Sequence, residues 1–370
     1  MFSGFLSTNR RNLFIIGAII LIIIITIILR RWAVYLENKD QEENSCYQKS
    51  ESHDQKEDGK SIVISGFSSV VKTYTFEELK EATRDFRIRI GVGATSFVYL
   101  AQLEDGRFAA VKRVMEDRGG SKKMFLDEVS ILLRISHPNL VGMMGFCLEQ
   151  GEQLLLLEYV PNKSLFDRMH TQQGQCRGIL TWSNRVSIAL DIARALDYLH
   201  TVADPPVIHR DIKSSNILLV NNNHAKLADF GLCKLGHDIQ TAPLTPTTIK
   251  GSLGYVDTNY LNTGLLSPKS DVYSFGVILL ELVTGLKSLQ GSTTIAEWTE
   301  DCRKNQNVDV LVGLLDPKLK SAADLEQLKV LIDLANLALL ENAEARPDMK
   351  FIVNTLLSCT EDNLQPQLPV

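Results

Sequence analysis

Two short strings restrict this chain more than anything else in it. His209-Arg210-Asp211-Ile212-Lys213-Ser214-Ser215-Asn216 is followed by Ala228-Asp229-Phe230-Gly231, with Asp229 eighteen residues after Asp211. Asn216 and Asp229 offer hard oxygen ligands of the kind Mg2+ takes. Asp211 can orient a hydroxyl and accept its proton. Upstream lies Ala110-Val111-Lys112. A lysine held in an apolar strand needs an anion, and two phosphate oxygens supply one. Earlier still, Gly91-Val92-Gly93 followed by Val98 reads as strand, turn and strand. Without Cβ atoms, such a loop can lie close over phosphates. Two glycines near a turn, or a Val-Lys pair, are common alone. In this order, each of the four elements has a physical job if the ligand is a nucleoside triphosphate.

Composition narrows the classes further. Of 370 residues, 45% are hydrophobic and 22% charged, as in a globular protein. Lys plus Arg is 39 against 44 Asp plus Glu, a net charge of −5, which argues against nucleic acid as a partner. Six cysteines without a CxxC pair suit neither a disulfide scaffold nor a structural zinc site.

One segment departs from that average. Residues 13–29 run for 17 positions without a charge, roughly 25 Å as a helix, near the lower limit for crossing a bilayer core. Arg10 and Arg11 precede the run, and Arg30, Arg31 and Trp32 follow it where a signal peptide would carry a small-residue cleavage site. A single retained transmembrane helix is expected. The basic excess after it (Arg30, Arg31, Lys39, Lys49) places the C-terminal side in the cytosol and residues 1–12 outside as a short stub.

Residues 30–73 read as a disordered juxtamembrane linker. Between 37 and 60 there are eight acids and four lysines, a composition that does not clamp onto anionic lipid. Phe76, Leu79, Ala82, Thr83 and Phe86 recur at helical spacing and predict a short helix over 75–86, within a helical extension at 74–86. From 88 to 115 the pattern is strand-like, broken by Gly-rich and Asp-Gly turns. Helices are expected over 122–135, 185–200, 271–283, 323–341 and 348–358. Val272–Val283 carries Glu281 and is too short for a second span, so it reads as a core helix. A β-rich first third joined to a helical remainder gives an α+β chain with two lobes.

With these motifs in place, the sequence resembles the eukaryotic protein-kinase family over roughly residues 85–357. The resemblance implies a two-lobed protein-kinase fold, with a β-rich N-lobe and a helical C-lobe, here bounded as 87–357 with a tail at 358–370. Strings such as YTFEELKEATRDF, HPNLVGMMGFC, LTWSNRVSIALDIARALDYLH and KSDVYSFGVILLELVTG are similar to plant receptor-like kinases, best of all to the wall-associated-kinase-like branch. That likeness implies a Ser/Thr kinase at the plasma membrane facing the cytosol. It would use ATP and Mg2+ and act on protein substrates, itself included, beside a larger co-receptor. Lys213, two residues after Asp211, is what Ser/Thr kinases carry there.

Carried over, Lys112 would hold the α- and β-phosphates, with Glu128 as its partner. Gly91, Val92, Gly93, Val98, Ala110 and Leu218 would surround the nucleotide. Glu158, Tyr159 and Val160 would form the hinge that bonds adenine, behind Leu157 as gatekeeper. Asn216 and Asp229 would bind the metal, Asp211 and Lys213 would serve the transfer, and Asp271 would anchor the catalytic loop from below. Arg210 marks tuning by activation-loop phosphate, with Thr247, Thr248 and Ser252 as regulatory phosphosites in a loop that also holds Thr241 and Thr245.

Two positions depart from the family pattern. Ser96 replaces the third glycine of the phosphate loop. Thr258-Asn259 replaces the Pro-Glu that closes the activation segment, whose glutamate pairs with a buried arginine, here Arg346. Losing one partner of a buried ion pair typically costs ~3–5 kcal/mol. Either Arg346 finds another acid or the segment is looser. The alternative function is then a catalytically weak or inactive kinase-like scaffold that works through partners. A small-molecule kinase fits less well, because such enzymes lack this activation segment and the helical tail.

Overall fold

The computed structural model describes residues 72–361 apart from 116–120, 176, 237–245, 306 and 320–322. The apolar run 13–29, the linker up to 71, Thr241, Thr245 and the tail beyond 361 lie outside the described residues.

The β-rich first third forms β1 (Arg89–Val92), β2 (Ser96–Gln102), β3 (Phe108–Val114), β4 (Met143–Cys147) and β5 (Leu154–Glu158), ordered β1-β2-β3-β5-β4 in one antiparallel sheet. Alternation along the strands divides its side chains. Ala101, Ala109, Val111, Leu154 and Leu156 bury with Leu79 of helix α1 (Phe76–Ala82) on the outer face. Leu155 and Phe146 join the main core on the other side. Helix α2 (Ser121–Leu132) turns Phe125 and Val129 into that same core.

The predicted helix over 75–86 is too long at its end. Thr75 starts it with a capping box: its hydroxyl accepts from the Glu78 N–H, and the Glu78 carboxylate accepts from the Thr75 N–H at 2.6 Å. After Ala82, however, Arg84, Asp85 and Phe86 all take left-handed backbone, with φ of 52°, 58° and 54°. Thr83 holds the turn, donating to the Leu79 carbonyl at 2.7 Å and accepting from the Phe86 N–H at 3.1 Å. The turn delivers Phe86 against Tyr99, ring centroids 5.2 Å apart. Left-handed backbone costs a non-glycine residue about 1–2 kcal/mol, and glycine gives back about 0.5–1 kcal/mol in chain entropy. Arg84→Gly should therefore stabilise the fold by about 0.5 kcal/mol, seen as a rise of roughly 1–2 °C in the Tm of the full chain.

Order also starts earlier than the linker reading placed it. Thr73 pairs in parallel with Phe146 on the free edge of β4, and the Tyr74 N–H donates to the Phe146 carbonyl at 2.9 Å. Gly145 makes room for this pairing, since a Cβ there would collide with the Lys72 carbonyl and the Tyr74 ring.

The helical lobe holds α3 (Leu165–His170), α4 (Trp182–Thr201), α5 (Thr258–Thr263), α6 (Pro268–Thr284), α7 (Leu325–Ala338) and α8 (Met349–Glu361). Every residue of α6 from Ser270 to Thr284 is buried, as expected of a core helix. A Cβ on Gly276 would come within 2.9 Å of Ala338, so α6 and α7 pack nearly backbone to backbone. Among the described residues no helix is long and apolar enough to cross a membrane. Two small ladders, β6 (Val207–Ile208) with β9 (Lys234–Leu235) and β7 (Ile217–Asn221) with β8 (His224–Leu227), bracket the segments that carry Asp211 and Asp229.

Candidate active site

Strand register brings the first group together. Val98 stands opposite Lys112, and Ala110 opposite Leu157, all on one face of the sheet. Lys112 Nζ donates to both oxygens of Glu128, at 2.7 and 3.0 Å, and to Asp229 Oδ1 at 2.8 Å. Burial disfavours the Lys112 ammonium, but the two carboxylates outweigh it and its pKa is raised. Burial also opposes ionisation of Asp229, yet Lys112 pulls its pKa below the usual carboxylate value. Burial foremost, with Asp229 as a like charge, pushes Glu128 up. Two carboxylates around one ammonium leave this cluster one negative charge in excess. Gly231 packs closely beside it: a Cβ there would lie 3.2 Å from Glu128 Oε2.

The segment from His209 to Asn216, expected as the catalytic loop, rests on α6. Asp271 is buried at the start of that helix. Its Oδ2 accepts from the His209 N–H at 2.8 Å and contacts His200 Nε2 at 2.8 Å, while its Oδ1 accepts from the Arg210 N–H at 2.9 Å. These bonds hold Arg210 at φ 67°, and Asp229 stands at φ 68°. Both are strained conformations for residues with a side chain. Burial opposes the Asp271 charge, but His200 and His209 keep its pKa low. His209 is fully buried, which lowers its pKa, and meets the Phe230 ring edge-on at 5.3 Å.

Asp211 stands at the centre of the loop. Its Oδ2 accepts from Lys213 Nζ at 2.7 Å and from Asn216 Nδ2 at 3.2 Å. Its Oδ1 accepts from the Ser252 hydroxyl at 2.7 Å, and Lys213 Nζ also donates to Ser252 Oγ at 2.9 Å. Ser252, expected as a phosphosite, thus bridges Asp211 and Lys213. Asn216 Oδ1 and Asp229 Oδ2 have no donor among the described residues. That pair of hard oxygens fits Mg2+, which keeps several waters and takes its other ligands from phosphate.

At the nucleotide end, the Glu158 N–H donates to the Gly142 carbonyl at 2.9 Å, while its carboxylate accepts from Lys226 Nζ at 2.8 Å and from the Gly142 N–H at 3.3 Å. Its side chain therefore braces the segment expected to serve as the hinge. The Val160 N–H finds no acceptor among the described residues. Tyr159 packs against Phe108, ring centroids 6.2 Å apart. Leu218 pairs with Lys226 on the β7–β8 ladder, and Val92 is 67% exposed. Ser96 does not open the phosphate loop: its carbonyl accepts from the Gly93 N–H at 2.8 Å and closes the turn.

The activation segment meets the loop through Arg210. Arg210 Nη2 donates to the Thr248 carbonyl and to the Tyr260 hydroxyl, each at 2.8 Å, and Thr247 Oγ1 lies 3.3 Å from that hydroxyl. No carboxylate pairs with Arg210 among the described residues. Arg346 does find another acid. Its Nη2 donates to Asp257 Oδ1 at 2.7 Å, with side chains 0% and 1% exposed. Asp257 was not singled out in the sequence. By sequence it reads only as an acid two positions before Asn259, with nothing to tie it to Arg346.

A family model described as the protein kinase domain matches residues 85–357. The chain belongs to the protein kinase family. Among relatives from Arabidopsis thaliana, this kinase is 40% identical over 290 residues to calmodulin-binding receptor-like cytoplasmic kinase 2, covering 75% of this chain and 69% of that protein. It is 38% identical over 305 residues to the receptor-like serine/threonine-protein kinase NCRK, covering 78% and 53%. A probable leucine-rich repeat receptor-like protein kinase is 40% identical over 291 residues, covering 78% and 30%. The kinase thus spans about half of the second relative and about a third of the third. Its similarity is to plant receptor-like kinases, and its domain is that of a serine/threonine kinase enzyme.

Proposed function

We propose that this chain transfers the γ-phosphoryl group of ATP to serine and threonine hydroxyls of proteins, its own activation segment included. The observation that carries the reading is the intact pair of clusters, Lys112–Glu128–Asp229 and Asp211–Lys213–Ser252. In this reading Glu128 holds Lys112 in place to meet the α- and β-phosphates. Val160 offers its free N–H to adenine, and Val98, Ala110 and Leu218 line the base. Asp229 and Asn216 would hold Mg2+, which when bound neutralises charge on the phosphates. Asp211 orients the substrate hydroxyl and takes its proton, while Lys213 faces the charge that develops on the transferring group.

The finer statements belong to the same proposal. Residues 13–29 anchor the kinase domain (87–357) by a single pass at the plasma membrane, with the domain in the cytosol and the linker as tether. The branch is the wall-associated-kinase-like one, and the partner is a larger co-receptor whose proximity the tether sets. Arg210, which has no carboxylate partner among the described residues, supports phosphate on Thr247 or Thr248 as the activating modification.

The test is the full chain in detergent with Mg·ATP, followed by phosphosite mapping against an Asp211→Asn control. Phosphate on Thr247 or Thr248 in the wild type alone is expected. No phosphate, with ATP still raising the Tm, would favour the scaffold.

A further inference from the structure

We propose that Asp257 is the positioning residue that anchors this chain's activation segment, doing with one carboxylate two jobs that would otherwise need two residues. The inference rests on the kinase reading above.

The Arg346 guanidinium is enclosed on every side. Nε donates to the Leu340 carbonyl at 2.8 Å and Nη1 to the Lys269 carbonyl at 3.0 Å, and the group lies 5.1 Å from the Tyr273 ring centroid. Its single anionic partner among the described residues is Asp257 Oδ1, at 2.7 Å. That same oxygen accepts the Asn259 N–H at 2.9 Å and so caps α5. Asp257 Oδ2 is buried with no partner among the described residues. The Asn259 carboxamide makes no hydrogen bond to Arg346. One oxygen therefore carries both the helix cap and the buried ion pair.

Position gives that oxygen its leverage. Five residues before Asp257, Ser252 touches Asp211 and Lys213. Three residues after it, the Tyr260 hydroxyl receives Arg210 and donates to the Thr248 carbonyl. The anchor thus stands between the two contacts that seat the segment on the catalytic loop. Releasing it would loosen the protein-substrate side and leave the nucleotide side, built on β2, β3 and α2, unchanged.

Asp257→Asn isolates the charge, because asparagine caps a helix about as well as aspartate. In the full chain it should lower kcat/KM for a protein substrate about tenfold or more and lower the Tm, with the ATP-induced rise in Tm kept. Adding Asn259→Glu to Asp257→Asn restores an acid at the position where the family pattern carries its glutamate, and should recover kcat/KM to within about threefold of wild type, together with the Tm. A single variant equal to wild type in both readouts overturns the proposal, as does a double variant no better than the single. If Asp257→Asn does not fold, the double variant decides alone: a folded, active chain upholds the anchor and a second failure overturns it. If the wild type transfers no phosphate, the kinase reading fails instead. The Tm values still decide the anchor, upheld by a fall in the single variant that the double reverses and overturned by their equality.

Discussion

Asp211→Asn leaves Mg·ATP bound and slows phosphoryl transfer by about 10²–10⁴-fold, the range set by loss of a positioned base. The substitution removes one charge and little structure. Asn216 Nδ2 still has the residue-211 carbonyl, at 2.9 Å, and Asp271 still holds the backbone of His209 and Arg210. The loop should therefore keep its shape while Lys213 loses its anion. Initial rates with a protein substrate and the ATP-induced rise in Tm separate the two effects. Lys112→Met should differ in kind. It leaves Glu128 and Asp229 facing each other without a cation, so nucleotide affinity falls along with the rate. Transfer at wild-type rate in Asp211→Asn would remove Asp211 from the role assigned to it.

How much of this could be read from the residues depends on how far each argument reaches along the chain. Lys112, Asp211, Asn216 and Asp229 were legible because each lies in a string whose chemistry makes sense only as a set, and Glu128 followed from the resemblance; the fold brings Lys112, Glu128 and Asp229 within hydrogen-bonding distance, and separately Asp211 and Asn216. Asp271 came from the resemblance alone, because an acid at the head of a long apolar helix reads equally well as an N-cap. Asp257 was not legible, because its value depends on where Arg346 arrives from 89 residues away. The end of α1 was missed for a local reason: helical spacing continues through Phe86, and nothing in Arg84-Asp85-Phe86 announces left-handed backbone without a glycine or asparagine. The pairing of Thr73 with β4 depends on the missing Cβ of Gly145, a residue that reads from sequence only as a weak spot in a strand. Ser252 was grouped with Thr247 and Thr248 because all three sit where plant receptor-like kinases carry regulatory phosphosites. Only the geometry separates a side chain pressed onto Asp211 from one beside Tyr260.

That separation gives Ser252 an expected effect opposite to activation. Its hydroxyl donates to Asp211 Oδ1 and accepts from Lys213, so it joins the two groups proposed to handle the proton and the phosphoryl charge. A phosphate there would bring about two negative charges against Asp211, compete for Lys213 and fill the space a substrate hydroxyl must enter. Ser252→Asp mimics the charge and should lower kcat/KM by about 10²–10³-fold. Ser252→Thr keeps the hydroxyl and should stay within a few-fold of wild type. Ser252→Ala removes the bridge alone and should fall between them. Steady-state rates of the three variants set the order, and mass spectrometry of the active wild type should find phosphate on Thr247 or Thr248 and not on Ser252. An Asp variant as active as wild type would return Ser252 to the regulatory set, because a hydroxyl that seats Asp211 and Lys213 cannot be exchanged for a carboxylate without cost.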